Sequence, residues 1–460
     1  MLNTIKFLLS FVLFPTIFLA AQSQDKILSG VLQVGVKPIE LIFILKENKK
    51  TIDVPAQYAF DMELTSAEFK GDSLFITLDM MVMKYVGKVY GSIDSISGIY
   101  TQGGGSMPLT LFPKPDYKQL ERNQKITPPY PYFTTDVVFK NDEANIDLAG
   151  TITAPDTLGK YPAVILVTGS GPQDRNESLM GHKPFLVIAD WLTRNGIVVL
   201  RYDDRGVGKS KGNFKAGTTM DFASDASSAL NHLATYDFVD KDKIGIIGHS
   251  EGGVIAPIVA VKNPNTRFII NLAGTGVSGR DIIIEQSELL AKADSSFNKA
   301  NLKNYIDLMT RIIEGILAKP DLAAKQIDSI FTNFMASLTP EDKESMNKQE
   351  GFSKQAFFAL NTPWFLQFLA LEPTEWLEKV KVPVLAVWGS KDLQVPPVQN
   401  KVPVEKALDK AGVYYETFVF DSMNHLFQKA VTGGIAEYAS IPTTIEPEVL
   451  EKMVEFIKKR

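Results

Sequence analysis

From residue 132 to the end, the chain alternates continuous apolar runs with helical stretches, and few folds accept that pattern. The runs fall at 163–167, 197–202, 244–248, 268–273, 384–388 and 416–420. A strand that is apolar along its whole length is buried on both faces, as in a parallel sheet. Helical stretches at 184–195, 220–236, 250–262, 400–411 and 446–459 separate or follow these runs. Two further strands, 134–140 and 145–154, lead the series and are joined by the turn Asn141-Asp142-Glu143. The expectation is an α/β unit over 132–460: a mostly parallel sheet of eight strands, its last six buried and central, with helices on both faces.

One interruption breaks the alternation. Between about 278 and 379 the strand signals vanish and the residues read as helices, so this segment is expected to form a helical cap. Of its large side chains, Phe331, Phe334, Met335 and Phe357 are assigned to the cap's own core. Pocket lining is expected from some of Trp364, Phe365 and Phe368.

The region before the sheet is different. Residues 24–113 carry short period-two runs, such as Ser73-Leu74-Phe75-Ile76-Thr77-Leu78, separated by turn signals such as Gly103-Gly104-Gly105-Ser106. That is the mark of antiparallel strands in a small β meander, sandwich or barrel. Residues 114–131, rich in charge and proline, read as a linker. At 1–23, Lys6 precedes an apolar run from Phe7 to Leu19 and then small and polar residues, the pattern of a signal peptide cleaved between Ala20 and Gln24. A membrane anchor would need ~20 uninterrupted apolar residues, and Pro15 breaks this run. The expected location is therefore exported, periplasmic or extracellular, with no membrane anchor after cleavage. A net charge of −5 offers no basic footprint, so nucleic acid is not an expected partner. Cysteine is absent, which excludes disulfides and a lipidated N-terminal Cys.

The chemistry concentrates at Gly248-His249-Ser250-Glu251-Gly252-Gly253, which follows an apolar strand and opens an apolar helix. A serine between small residues at a strand-to-helix turn has its hydroxyl lifted clear of the sheet, at the positive end of a helix. Ser250 is the expected nucleophile. Its base must come from four histidines: His182, His232, His249 and His425. His249 adjoins the nucleophile and is expected to point elsewhere, His232 sits mid-helix, and His182 precedes the serine. The order serine, acid, histidine leaves His425. The acid that orients it is expected to be Asp392, on the loop after the strand at 384–388. Asp421, close to His425 in sequence, is the rival and is expected to organise the histidine's own loop.

A tetrahedral intermediate needs two backbone N–H donors. One is expected from Glu251, directly after the serine. The other should come from Thr168-Gly169-Ser170-Gly171-Pro172-Gln173, with Gly171 preferred and Ser170 the alternative. Asp174 and Arg175, next in line, could touch a leaving group or form an internal salt bridge. Gly206-Val207-Gly208-Lys209-Ser210 resembles the end of a phosphate-binding loop, but Asp203 stands where that motif requires glycine. It is read as a structural loop. No metal-ligand spacing occurs, and no cofactor is expected.

With these motifs together, the sequence resembles the α/β-hydrolase superfamily, and in particular bacterial secreted carboxylesterases with an N-terminal β domain. The resemblance is carried by Gly169–Arg175, Arg201–Ser210, the segment from Gly248 to Gly253, and Asn424-His425-Leu426-Phe427-Gln428. It implies a triad of Ser250, Asp392 and His425 acting on a small-molecule ester through an acyl enzyme. Two other functions are weighed: a serine peptidase of the prolyl-oligopeptidase-like group, and a non-catalytic envelope binding protein on a hydrolase scaffold. Residues 24–113 are too short for the propeller of the former, and a binder would need none of the catalytic residues. Superfamily membership alone does not fix the substrate.

Overall fold

The computed structural model describes residues 25–460 apart from 35, 36, 58 and 350, so the expected signal peptide lies outside the described residues. The chain divides into two compact units between Lys118 and Gln119.

The first unit is an antiparallel sheet of nine strands: β1 (Lys26–Val34), β2 (Lys37–Lys46), β3 (Lys49–Val54), β4 (Ala59–Glu63), β5 (Ser66–Lys70), β6 (Ser73–Leu78), β7 (Met83–Tyr90), β8 (Ser95–Gln102) and β9 (Gly105–Pro113). Their order is β4-β3-β2-β1-β9-β8-β7-β6-β5. Period-two patterning works as expected: in β6, Leu74, Ile76 and Leu78 are buried while Ser73, Phe75 and Thr77 are only partly covered. The sheet is not flat. β2 and β7 stand four strands apart, about 19 Å in a flat sheet, yet the rings of Phe43 and Tyr85 lie 6.2 Å apart. The two halves therefore curl over one shared core. They join through a short pairing, Leu28 with Pro113 and Ser29 with Phe112.

The second unit carries β10 (Phe133–Asn141), β11 (Ile146–Ala154), β12 (Tyr161–Val167), β13 (Val198–Tyr202), β14 (Val239–His249), β15 (Phe268–Leu272), β16 (Val384–Gly389) and β17 (Tyr415–Phe420). They form one sheet in the order β10-β11-β13-β12-β14-β15-β16-β17. β11 runs antiparallel to both its neighbours, and all later pairings are parallel. β12, β14, β15 and β16 are closed over by helices, and their apolar side chains form the main core. One strand departs from the sequence reading. The run at 416–420 reads as buried and central, but β17 is the sheet's edge and Phe418 is 46 % exposed. An edge strand needs an apolar lining on one face only.

The helices of this unit are α1 (Pro184–Arg194), α2 (Thr219–Leu233), α3 (Glu251–Lys262), α4 (Gly279–Ala293), α5 (Leu302–Ala318), α6 (Ala323–Ser337), α7 (Pro340–Lys348), α8 (Lys354–Phe358), α9 (Pro363–Leu369), α10 (Pro373–Leu377), α11 (Pro397–Ala411), α12 (Ile435–Tyr438) and α13 (Pro447–Lys458). α2 starts at a reciprocal cap, in which the Thr218 side chain takes the Asp221 N–H and Asp221 takes the Thr218 N–H. α3 is apolar all round because it is buried between the sheet and the helices α2 and α10. α4 to α10 make the cap, with a separate core that includes Phe331, Phe334, Met335, Phe357 and Phe365.

The segment at 119–131, read as part of a linker, is not a free tether. Asn123 N–H donates to Pro442 O at 3.0 Å, and Gln124 Oε1 accepts the N–H groups of Thr444 and Ile445 at 2.9 and 3.1 Å. The Gln124 side chain thereby satisfies two backbone N–H groups, a role composition does not reveal.

Candidate active site

β14 ends at His249 and α3 begins at Glu251, leaving Ser250 alone at the turn with φ 55° and ψ −115°. A non-glycine residue in this region costs about 1–3 kcal/mol and persists only where its surroundings enforce it. Here they do: Ser250 N–H donates to Leu272 O at 2.8 Å, and Ser250 O accepts the Gly253 N–H at 2.9 Å. The flanking glycines are dictated by contact. A Cβ on Gly248 would stand 1.9 Å from Gly252 O, and one on Gly252 would stand 2.2 Å from Val167 O.

Asp392 and His425 meet beyond β16 and β17. His425 Nδ1 lies 2.8 Å from Asp392 Oδ2, and both side chains are buried. The other Asp392 oxygen accepts the N–H groups of Gln394 and Val395, each at 2.8 Å, which holds the carboxylate in one orientation. The histidine's loop is tied back by Asn424 Oδ1, which accepts from Leu426 and Gln428 N–H at 3.0 Å. Lys391 N–H donates to Met423 O at 2.8 Å, joining the two loops. Asp421 is exposed and bonds Ser390 and Ser422, so it organises the loop and does not reach the ring.

The remaining histidines have other surroundings. His182 is buried between Thr444 Oγ1 and Tyr438 O, and burial pushes it down to about 4. His232 lies in the last turn of α2, not mid-helix as read, and stacks on Phe139 at 5.2 Å. His249 does not point away as expected. Its ring sits 4.8 Å from that of His425.

The loop after β12 is pinned at both ends. Gly169 N–H donates to Glu177 Oε1 at 3.0 Å, and Gln173 N–H to Asp204 Oδ2 at 2.9 Å, while Thr168 Oγ1 donates to Asp204 Oδ1 at 2.8 Å. Burial, reinforced by the Glu251 and Glu177 carboxylates, pushes the Asp204 carboxyl well above its ordinary range. Ser250 and His425 share a cavity of about 190 Å³ whose walls include Gly169 and Ser170 from this loop. Gly171, the preferred second donor, is not among those walls. Ser170, the alternative, lies on the wall between the two fastened positions.

Arg175 and the Arg201–Ser210 loop are structural. Arg175 pairs with Asp203 at 2.7 Å and Asp136 at 3.2 Å. Ser210 Oγ donates to Asp203 O at 2.6 Å and accepts the Ala149 N–H at 2.9 Å, which stitches the loop to β11.

The cap closes one side of the cavity. Trp364 and Phe368 stack at 5.2 Å and join Ile282, Ile283 and Gln286 of α4 on the wall. Phe365 turns into the cap's core. Trp364 Nε1–H donates to Glu251 Oε1 at 2.8 Å, and Thr219 Oγ1 donates to the same oxygen at 2.7 Å. Burial raises the Glu251 carboxyl, against hydrogen bonds from Thr219, Trp364 and Ser170. The sequence reading does not find the side chains of Glu177, Asp204 and Glu251, and it considers His249 only as a base. Glu177 and Asp204 reach the site only through tertiary contacts, with no motif to flag them.

The model of the serine aminopeptidase (S33) hydrolase family matches residues 183–312, a segment that contains Ser250 but not Asp392 or His425. Esterase EstD of Thermotoga maritima is 24% identical over 281 residues, 61% of this chain and 58% of that protein. Dipeptidyl peptidase 8 of Mus musculus is 32% identical over 161 residues, 33% of this chain and 18% of that protein. The chain thus covers less than two thirds of either relative. An esterase of Pyrococcus furiosus has a solved structure with a TM-score of 0.41 and 16% identity, covering 75% of this chain and 98% of that one. A strand order with β13 and β12 exchanged and a serine elbow between β14 and α3, the elbow lying within the family match, give this chain the α/β-hydrolase fold.

Proposed function

We propose that the protein is a serine hydrolase that cleaves carboxylic esters, with Ser250 as nucleophile, His425 as base and Asp392 as its orienting acid. The observation that carries this reading is the 2.8 Å bond from His425 Nδ1 to Asp392 on the wall of the cavity that Ser250 also lines. In the mechanism, Ser250 Oγ attacks the ester carbonyl as His425 Nε2 takes its proton. Asp392 stabilises the imidazolium. The oxyanion lies against the N–H groups of Glu251 and Ser170, and the first N–H groups of α3 have no intrahelical acceptor to compete. Collapse expels the alcohol, protonated by His425. Water then attacks the acyl enzyme by the same route and frees the acid.

An uncharged acyl group suits the cavity. Its apolar wall includes Ile282, Ile283, Trp364, Phe368 and Leu426, and each buried CH₂ contributes ~0.8 kcal/mol. Peptidase action is the second reading, favoured by the description of the matching family and by the dipeptidyl peptidase segment. Against it, the cavity's glutamates are engaged, Glu177 by Gly169 and His249 and Glu251 by Thr219 and Trp364. A substrate ammonium would have to compete with these donors or use the second carboxyl oxygens. We further infer export through the segment at 1–23, which mass spectrometry of the protein's N-terminus in the periplasm or medium would test.

The decisive experiment compares kcat/KM on short p-nitrophenyl esters and aminoacyl p-nitroanilides, together with fluorophosphonate labelling of wild type and Ser250→Ala. Esters should turn over far faster, with label on wild type only. Comparable rates on anilides would favour the peptidase, and no turnover with no labelling would leave a binding protein on a hydrolase scaffold.

A further inference from the structure

His249 immediately precedes the nucleophile, and its ring is buried. Its Nδ1 lies 2.8 Å from Glu177 Oε1 and its Nε2 lies 3.0 Å from the carbonyl oxygen of His425. Carboxylate and carbonyl oxygens both accept hydrogen bonds, whereas a neutral imidazole has one N–H to give. With Glu177 ionised, both contacts are hydrogen bonds only when the ring carries two protons. The arrangement then pairs an imidazolium with a carboxylate.

That pair touches three of the segments the reaction uses: the serine elbow, the oxyanion loop and the base loop. His249 belongs to the serine elbow. Glu177 Oε1 also accepts the Gly169 N–H at 3.0 Å, from the loop that presents Ser170. The third contact is to the backbone of His425. The ionisable groups acting on the ring are Glu177, Asp392 and His425, the last with its ring 4.8 Å away. Burial opposes charging His249, but the Glu177 carboxylate outweighs it and holds the imidazole above its ordinary value.

We propose that His249 and Glu177 form a charged clasp, imidazolium on carboxylate, that fixes the base loop and the oxyanion loop against the serine elbow. This rests on the reading of Ser250 and His425 as nucleophile and base. His249 is a positioning residue: it does not meet the substrate's reacting atoms, but it sets where His425 and Ser170 stand relative to Ser250. Misplacing such groups by about 1 Å can cost on the order of 10²-fold in rate.

The test uses ¹⁵N-histidine labelling of the Ser250→Ala protein, which leaves the clasp untouched. At pH 8, one of the four imidazoles should carry both N–H protons, and its signal should vanish in His249→Gln. In Glu177→Gln the amide oxygen can take the place of Oε1 and accept from both Gly169 and Nδ1–H, but the charge that stabilises the imidazolium is gone, so the same ring should become singly protonated. On a short p-nitrophenyl ester, His249→Gln should lower kcat by about 10²-fold with KM little changed, and Glu177→Gln should retain more of kcat. A singly protonated His249 in the otherwise wild-type site at pH 8, or an unchanged kcat in His249→Gln, would overturn the clasp. Failure of Ser250 to take a fluorophosphonate would overturn the hydrolase reading alone, because the histidine spectrum is measured without turnover.

Discussion

The indole N–H of Trp364, in the cap, donates to the carboxyl of Glu251 at 2.8 Å, so the residue that follows the nucleophile also ties down the cap. A second tie, from Met220 N–H to Gln367 Oε1 at 3.3 Å, anchors the same helix α9 to the start of α2. Cap position and the amide of Glu251 are therefore mechanically linked, since one residue supplies both the cap's acceptor and an oxyanion donor.

Replacing Trp364 by Phe should separate these roles. The apolar wall is largely kept, but Glu251 loses one of its buried donors, which costs about 1–3 kcal/mol. With the cap less firmly seated, KM for a short p-nitrophenyl ester should rise on the order of tenfold, with a smaller fall in kcat. Steady-state kinetics on both proteins check this. An unchanged KM would mean that the tie does not hold the cap.

Asp392→Asn should leave the fold intact and lower kcat by roughly 10⁴-fold, because the amide cannot hold His425 in the tautomer that presents a free Nε2 to the serine. Asp421→Asn should change kcat little, as Asp421 is exposed and bonds only its own neighbourhood. Measuring both variants on one ester separates the two, and reversed effects would move the acid to Asp421.

Much of this site is legible in the chain because its chemistry is written in local patterns. Ser250 announces itself through the glycines on either side, whose removal would drive a Cβ into Gly252 O or Val167 O. His425 emerges because only four histidines exist, and the fold's chain order discards the others. Central strands such as β12 and β14 are plain from unbroken apolar runs. Failures come where a residue acts at a distance. Glu177 and Asp204 bind the backbone of the loop at 168–173, and nothing in their neighbouring residues encodes that contact. Which part of that loop borders the cavity, Ser170 and not Gly171, is likewise not written in the local sequence. β17 misled because an edge strand and a buried one share the same short apolar run.

Gly252→Ala offers a test of the elbow's packing. The new methyl would meet Val167 O at 2.2 Å and Thr168 O at 2.8 Å, both backbone atoms of a central strand end. Overpacking against atoms that cannot rotate away should cost about 3 kcal/mol, read as a shift in the urea midpoint. Activity should fall further than stability, since the displaced backbone leads into the loop that carries Ser170. Equal urea midpoints for variant and wild type would show that β12 yields more easily than its position implies.

The last prediction concerns pH. Burial raises both Glu251 and Asp204, so each holds its proton more tightly in the folded chain than in the unfolded one. For a raised acid, the stabilising contribution is complete below the ordinary carboxylate range and is lost as pH climbs through the folded value. Stability from these two groups should therefore decline from about pH 4 upward. Glu251→Gln should remove one share of that decline. The glutamine oxygen can accept from Thr219 and Trp364 as Oε1 does now, and its amide faces Ser170, whose hydroxyl can accept. Thermal melts of wild type and Glu251→Gln should nearly coincide at pH 4, with the variant melting higher at pH 8. If instead the variant melts lower at pH 8, Glu251 is charged and stabilising in the folded protein, and the cap is held by an ionic hydrogen bond.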